Sequence, residues 1–269
     1  MSTVTASTAG RHLFHREVEV MGTVVTIDLY GDEHLDEWKL ARSVNAAEGV
    51  LREADHVFST WKPHSPISRL RRGELTIGDV PAVVLDVLEE CRAARRASRG
   101  WFDPWSVPGG VDPTGLVKGW AAQRALEPLR EEGLIGALVN AAGDIASFGG
   151  PVVGEPFRVG VVRPADPTRL ACVVESPGAV ATSGTYERGN HLVNPFTGDA
   201  TGTASATVTG PDLGLADALA TALAVAGPSG LEFVSAIRGY EGLIIETSDT
   251  FHATDGFPMA ECFLKRRPS

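Results

Sequence analysis

Residues 180–221 read VATSGTYERGNHLVNPFTGDATGTASATVTGPDLGLADALAT, and the last part decides most. Asp212 is a good N-cap, and a helix rich in Ala and Leu is expected from there to about Ala226. Asp217 and Thr221 are four apart, so they share one face of that helix. Around them stand Leu213, Leu215, Ala216, Leu219, Ala220 and Leu223. A carboxylate buried on so apolar a helix needs a partner, because an unpaired buried charge is costly. Capping explains it poorly, since Asp212 already holds the cap. A carboxylate and a hydroxyl one turn apart suit a hard cation such as Mg2+, which takes oxygen ligands. The other reading places Asp217 on a solvated face, with Thr221 bonded back to a carbonyl. Spacing alone leaves both open.

Upstream, Val180 to Ser183 reads as a short strand, and Gly184 to His191 is too polar and Gly-rich for a regular element. Asn194-Pro195-Phe196-Thr197-Gly198 is a turn signal, and Thr203 to Thr209 alternates like a strand. A loop carrying His191 thus sits between strands, just ahead of the helix. Binding and catalytic groups often sit on loops held by such a scaffold.

Composition bounds the answer. The chain has 269 residues, 43% hydrophobic and 22% charged, as in a soluble globular protein of one large domain or two small ones. A net charge of -10 argues against a nucleic-acid partner, which calls for a basic face. Cys91, Cys172 and Cys262 are too few and too scattered for a disulfide framework or a zinc site. No run approaches eighteen apolar residues, so no membrane anchor is expected. The Ser/Thr-rich opening MSTVTASTAG lacks an apolar core, and residues 1–16 are expected to be a disordered start to a domain spanning 17–269.

Working outward, Glu17 to Tyr30 looks like two strands broken at Met21-Gly22-Thr23. Glu33 to His56 and Ala82 to Ser98 have helical periodicity, and Ser65 suits the cap of a short helix between them. The basic end of the second helix, Arg92, Arg95, Arg96 and Arg99, suits a solvated C-terminus. A Gly- and Pro-rich loop starts at Gly100-Trp101-Phe102-Asp103-Pro104. A turn at Asp112-Pro113-Thr114-Gly115 opens a helix to about Arg130, whose first amides and Lys118 suit an anion such as a diphosphate. Strands follow at 137–140, up to Phe148, at 157–162 and at 170–175, and beyond Ala226 come a helix near 231–237 and strands at 242–247 and near Phe251. Helices and strands do not alternate strictly, so the class expected is α+β with mixed sheets.

Ala181-Thr182-Ser183-Gly184-Thr185-Tyr186, His191 to Gly198 and Ala216-Asp217-Ala218-Leu219-Ala220-Thr221-Ala222-Leu223 resemble the ApbE-type FAD:protein FMN transferases in order and spacing. The resemblance covers roughly residues 17 to 255 and implies a single T-fold-related domain. It implies Met21 against the flavin, Asp112 and Lys118 on FAD, and Mg2+ held by Asp217, Thr221 and the Gly115 carbonyl. Trp101, Phe102, Asp103, Thr185, Tyr186 and Val193 lie in the loops expected to complete the FAD site. His191 is the natural base for the hydroxyl of an acceptor protein, with Asp144 the weaker candidate. Three departures stand out: Asn194 where the family commonly has Asp, Pro113-Thr114 in place of Leu-Gly, and Ala142 in place of the first Gly of Gly-Gly-Asp. If that position needs positive φ, Ala142 is strained; if it only needs close packing, Ala is tolerated.

The activity implied is cleavage of the FAD diphosphate and transfer of FMN to a Thr or Ser hydroxyl through a phosphoester, with release of AMP. Two alternatives remain, a pyrophosphatase that gives FMN and AMP and a non-catalytic flavin carrier. Exported relatives carry a signal peptide and a lipid-bearing cysteine. Neither is seen here, so a cytoplasmic location is expected.

Overall fold

The computed structural model describes residues 11–31, 35–130, 133–184, 192–199 and 203–266, with only the backbone described at Arg11, Lys265 and Arg266. Strands β1 (Arg11–Val20) and β2 (Thr23–Gly31) form a hairpin, and β2 pairs in turn with β3 (Leu134–Ala141). The sheet continues through β4 (Asp144–Gly149), β7 (Ala179–Ser183), β8 (Ser205–Gly210), β9 (Glu241–Ile245), β10 (Thr250–Ala253) and β12 (Lys265–Arg266). Its pairs are antiparallel except β10 with β12. A second sheet has the order β11 (Met259–Cys262), β6 (Asp166–Glu175), β5 (Arg158–Arg163).

Helices α1 (Glu37–Phe58), α4 (Thr114–Leu126) and α5 (Leu213–Ala226) cover one face of the large sheet. The short α2 (Pro66–Arg71) and α3 (Ala82–Ala97) lie between α1 and α4 in the chain, and α6 (Leu231–Ser235) follows α5. On the other face, Ile145, Val180, Leu243 and Ile245 pack against Val159, Val161, Ala171, Cys172 and Val174 of the small sheet. The architecture is α+β in three layers: helices, large sheet, small sheet. Strand β8 lies in the middle layer and is buried along its whole length, polar residues included. Its Thr207 stands opposite Thr182, and their hydroxyls bond at 3.0 Å, which satisfies groups that burial would otherwise leave dry.

Helix α5 runs through the centre and is buried nearly all round. Asp212 caps it as expected, accepting the Leu215 amide at 2.8 Å. The stretch Leu213–Ser235 has the length and mean hydropathy, 1.3, of a membrane span. Here it is two helices joined by a turn at Gly227–Gly230, with Asp217 inside the packed core. Cys91 and Cys172 are also in the core, and burial pushes both thiols up to about 12, which makes them inert.

Several boundaries differ from those read in the sequence. Strand β1 starts at Arg11, not Glu17, because a bulge between His12 and Phe14 breaks the two-residue alternation that marks a strand. Helix α1 starts at Glu37, not Glu33, because Asp36 is the cap and accepts the Trp38 amide. Strands β11 and β12 escape a sequence reading; β11 is short and mostly exposed, with no alternation to betray it.

Two turns bear on function. Met21 and Gly22, joining β1 to β2, have φ of 53° and 70°; Ala142 and Gly143, joining β3 to β4, have 53° and 93°. Both residues of each turn are left-handed, as in a type I′ hairpin, where Asn-Gly is preferred. Ala142 therefore stands at a strained position, which settles the alternative its sequence left open. Since Val25 pairs with Ala141, the two turns lie at the same end of the sheet. Replacing the exposed Ala142 by Asn is expected to stabilise the fold by up to about 1 kcal/mol. In a thermal melt that is a rise of roughly 2 °C; an unchanged or lower melting temperature would show the turn unstrained.

Candidate functional site

At the end of the sheet marked by the two turns lies a cavity of about 1130 Å³. Met21 and its neighbours form one side, and Phe58 to Lys62 after α1 form another. Trp101, Phe102 and Asp103 come from the loop after α3, and Asp112, Gly115 and Lys118 from the start of α4. Ser183 and Gly184 at the end of β7, Val193, and Asp217 and Thr221 of α5 complete the wall. Residues far apart in the chain thus converge as the motifs require. Thr185, Tyr186 and His191 lie outside the described residues.

The α4–α5 contact sets the floor. Gly119 sits so close to α5 that a Cβ would run into the Leu213 carbonyl and come within 2.9 Å of the Asp217 Cβ. That closeness lets the Gly119 amide donate to Asp217 Oδ2 at 3.0 Å. Asp217 is 3% exposed, so the solvated-face reading of this residue is excluded. One turn on, the Thr221 hydroxyl is 3.3 Å from Ser183 Oγ and close beside Gly115. Asp217, Thr221, Ser183 and Gly115 all line the cavity, and a carboxylate, two hydroxyls and a backbone carbonyl are the donor types of a hard cation.

Lys118 comes just before Gly119 on α4. Its ammonium pairs with Asp144 Oδ2, and Asp144 Oδ1 accepts the Thr182 amide at 3.1 Å. Asp144 is fully buried and does not line the cavity. It stands behind Lys118 and fixes that side chain from β4, while Lys118 faces the cavity.

Asp112 and Asp103 of the cavity wall already have partners. Asp112 pairs with Arg71 at 2.9 Å and accepts the Thr114 amide at 3.0 Å and hydroxyl at 2.7 Å. Of the first amides of α4, expected to face an anion, that of Thr114 is therefore taken by the chain's own carboxylate. Asp103 pairs with Arg95 at 2.8 Å and accepts the Trp105 amide. Trp101 meets Phe196 edge to face at 4.8 Å. Trp61 is 93% exposed on the cavity rim, so it does not cover the core.

Three contributors went unnoticed in the sequence. Arg71 also donates to the Val111 and Pro108 carbonyls and ties α2 to the loop that carries Asp112. It lies about forty residues upstream, and nothing local announces its partner. Ser183 sits inside a quoted motif, but only the fold brings it to Thr221. Gly119 follows Lys118 directly, and a Gly inside a helix is itself the signal of a close approach.

The chain is similar to known proteins. Residues 21–109 and 106–244 match the model of the ApbE family. The FAD:protein FMN transferase of Vibrio cholerae serotype O1 is 30% identical over 154 residues, 52% of this chain and 46% of that protein. That of Escherichia coli strain K12 is 30% identical over 166 residues, 57% and 47%. The matched part therefore spans about half the length of these curated relatives. The solved flavin transferase ApbE from Vibrio cholerae superimposes with a TM-score of 0.75 at 21% identity, over 92% of this chain and 98% of that one. The ApbE protein from Thermotoga maritima gives 0.75 at 21%, over 90% and 97%. At that identity the likeness speaks for the fold, which is the same α+β architecture.

The Lys118–Asp144 pair yields a stability test. Lys118→Met leaves a fully buried carboxylate without its cation and is expected to cost about 3 kcal/mol in denaturant unfolding. Adding Asp144→Asn should recover most of that loss, because the uncompensated charge goes with it. Equal losses in the single and double variants would mean that the two residues do not act as a pair.

Proposed function

This chain belongs to the ApbE family, and from that premise we propose that it is a Mg2+-dependent transferase moving FMN from FAD to a Thr or Ser hydroxyl of an acceptor protein. AMP is the leaving group, and the new bond is a phosphoester. One observation carries the reading: Asp217, Thr221, Gly115 and Lys118, from two helices, meet on the wall of one cavity. The cavity volume of about 1130 Å³ exceeds the usual 300–1,000 Å³ of small-ligand pockets, as a dinucleotide demands.

The residues present fit the metal, since the donors around Asp217 are all oxygens. Asp217, Thr221 and the Gly115 carbonyl would hold Mg2+, which when bound offsets the charge that builds on the diphosphate as AMP departs. Lys118, held by Asp144, sets a fixed positive charge beside the same phosphates. Met21, Trp101 and Phe102 supply surface for a flat ring system. The acceptor oxygen forms its bond to the FMN phosphorus as the bond to the AMP oxygen breaks, and its proton needs a base. His191 is the residue for that task, because histidine is the side-chain type that exchanges protons near neutrality.

Asp217 separates chemistry from stability. Asp217→Asn retains an oxygen for the Gly119 amide, so the unfolding free energy should stay within about 1 kcal/mol of wild type. FAD turnover should fall about a hundredfold or more and lose its response to a Mg2+ titration. An Asn variant that melts early yet keeps its Mg2+ response would remove Asp217 from the metal. For His191→Ala, transfer measured by mass spectrometry of an acceptor at saturating FAD should slow about a hundredfold, with FAD affinity little changed. Should FAD yield FMN and AMP in every acceptor mixture, with no protein gaining mass, the enzyme is a hydrolase instead.

A further inference from the structure

Towards its open end, away from the Met21 turn, the first hairpin gathers a second set of ligand atoms. His12 Nε2 and His15 Nδ1 both lie 2.8 Å from Asp28 Oδ1, and the three atoms are within 4.8 Å of one another. None of the three residues lines the cavity. Their placement depends on an irregularity. In a regular strand, positions three apart point to opposite faces. The bulge between His12 and Phe14 adds the residue that turns both imidazoles to one face, opposite Tyr30 and Asp28 of β2. The side of β2 that bears Val25, Ile27 and Leu29 is wholly buried, so Asp28 stands on the other side.

We propose that His12, His15 and Asp28 form a binding site for a borderline divalent transition metal, Zn2+ foremost. Two imidazoles and one carboxylate suit Zn2+, Ni2+, Co2+ or Cu2+ and are a poor set for Mg2+. Zinc bonds of about 2.0–2.2 Å in a tetrahedral arrangement put ligand atoms roughly 3.3 Å apart. Two of the three separations here are already slightly shorter, so small ring rotations admit the ion. The surroundings fit a metal site too. His15 Nε2, the nitrogen facing away from Asp28, lies 3.6 Å from Glu17 Oε1, the carboxylate partner that metal-bound imidazoles usually have. The His12 ring rests against Tyr30 at 5.0 Å, and Tyr30 against Phe157 at 5.4 Å, which limits the ring's rotation. Both histidines are nearly half exposed, so an ion enters from solvent and keeps a coordination position for water. Bound there, it would clip the edge strand β1 to β2.

The test uses the full chain stripped with a chelator, then dialysed against Zn2+ in a large excess of Mg2+. Wild type is expected to retain one Zn2+ that Mg2+ does not displace. His12→Ala and His15→Ala, made separately, should each weaken retention tenfold or more, with metal-free melting temperatures close to wild type. Co2+ in place of Zn2+ should give intense d–d absorption in wild type and lose it in His15→Ala. FAD turnover with Mg2+ should be unchanged in both variants, which separates this site from the cavity. Equal Zn2+ retention in wild type and both variants would overturn the proposal, as would a wild type that holds no Zn2+ under these conditions. In the latter case Asp28 only hydrogen-bonds the two rings.

Discussion

A single backbone amide and a buried carboxylate hold the centre of this molecule together. The Gly119 amide donates to Asp217, and the contact exists only because residue 119 has no side chain to keep α4 and α5 apart. From that closeness follow the position of Gly115 beside Thr221, the reach of Thr221 to Ser183, and the direction in which Lys118 leaves α4. A carboxylate this deep is stable only where its lone pairs are met, and the neighbouring helix meets one of them. Packing and chemistry therefore depend on the same few atoms.

The three layers explain why those atoms occur where they do. Covering both faces of the large sheet buries its central strands completely and leaves only their ends free. At one end, the Met21-Gly22 turn, the exit of β7 and the start of α4 border the cavity. Strain accumulates there as well. Met21 and Ala142, neither of them Gly, hold left-handed conformations in adjacent turns, and such positions gather around functional sites.

Much of this was legible in the sequence because the informative signals are local. The N-cap at Asp212, the four-residue spacing of Asp217 and Thr221, and the turn before α4 each depend on neighbouring residues, and each is found in place. The illegible parts are those in which distant residues decide. Arg71 reaches Asp112 across about forty residues, and Asp144 is paired with a Lys on another element, a partner that Ala-Gly-Asp does not reveal. The start of β1 was hidden by its bulge, β11 by short length and exposure, and β12 by its length of two residues. Asn194, which replaces the family's common Asp, sits in a turn that accepts the Phe196 amide, a task either residue performs.

The order of the strands has a consequence for how the molecule comes into being. Three pairs in the large sheet, β1–β2, β3–β4 and β9–β10, are tight hairpins that can close early and at little entropic cost, whereas β2 finds β3 only across about a hundred residues of chain. The cavity is different, because its wall runs from Glu19 to Val225 and needs α5 docked on α4. A chain emerging from the ribosome would have these hairpins before it had the cavity. Ligand affinity is then a property of the finished molecule alone, and any ligand of the cavity that binds the native state draws the whole chain, not one hairpin, towards it.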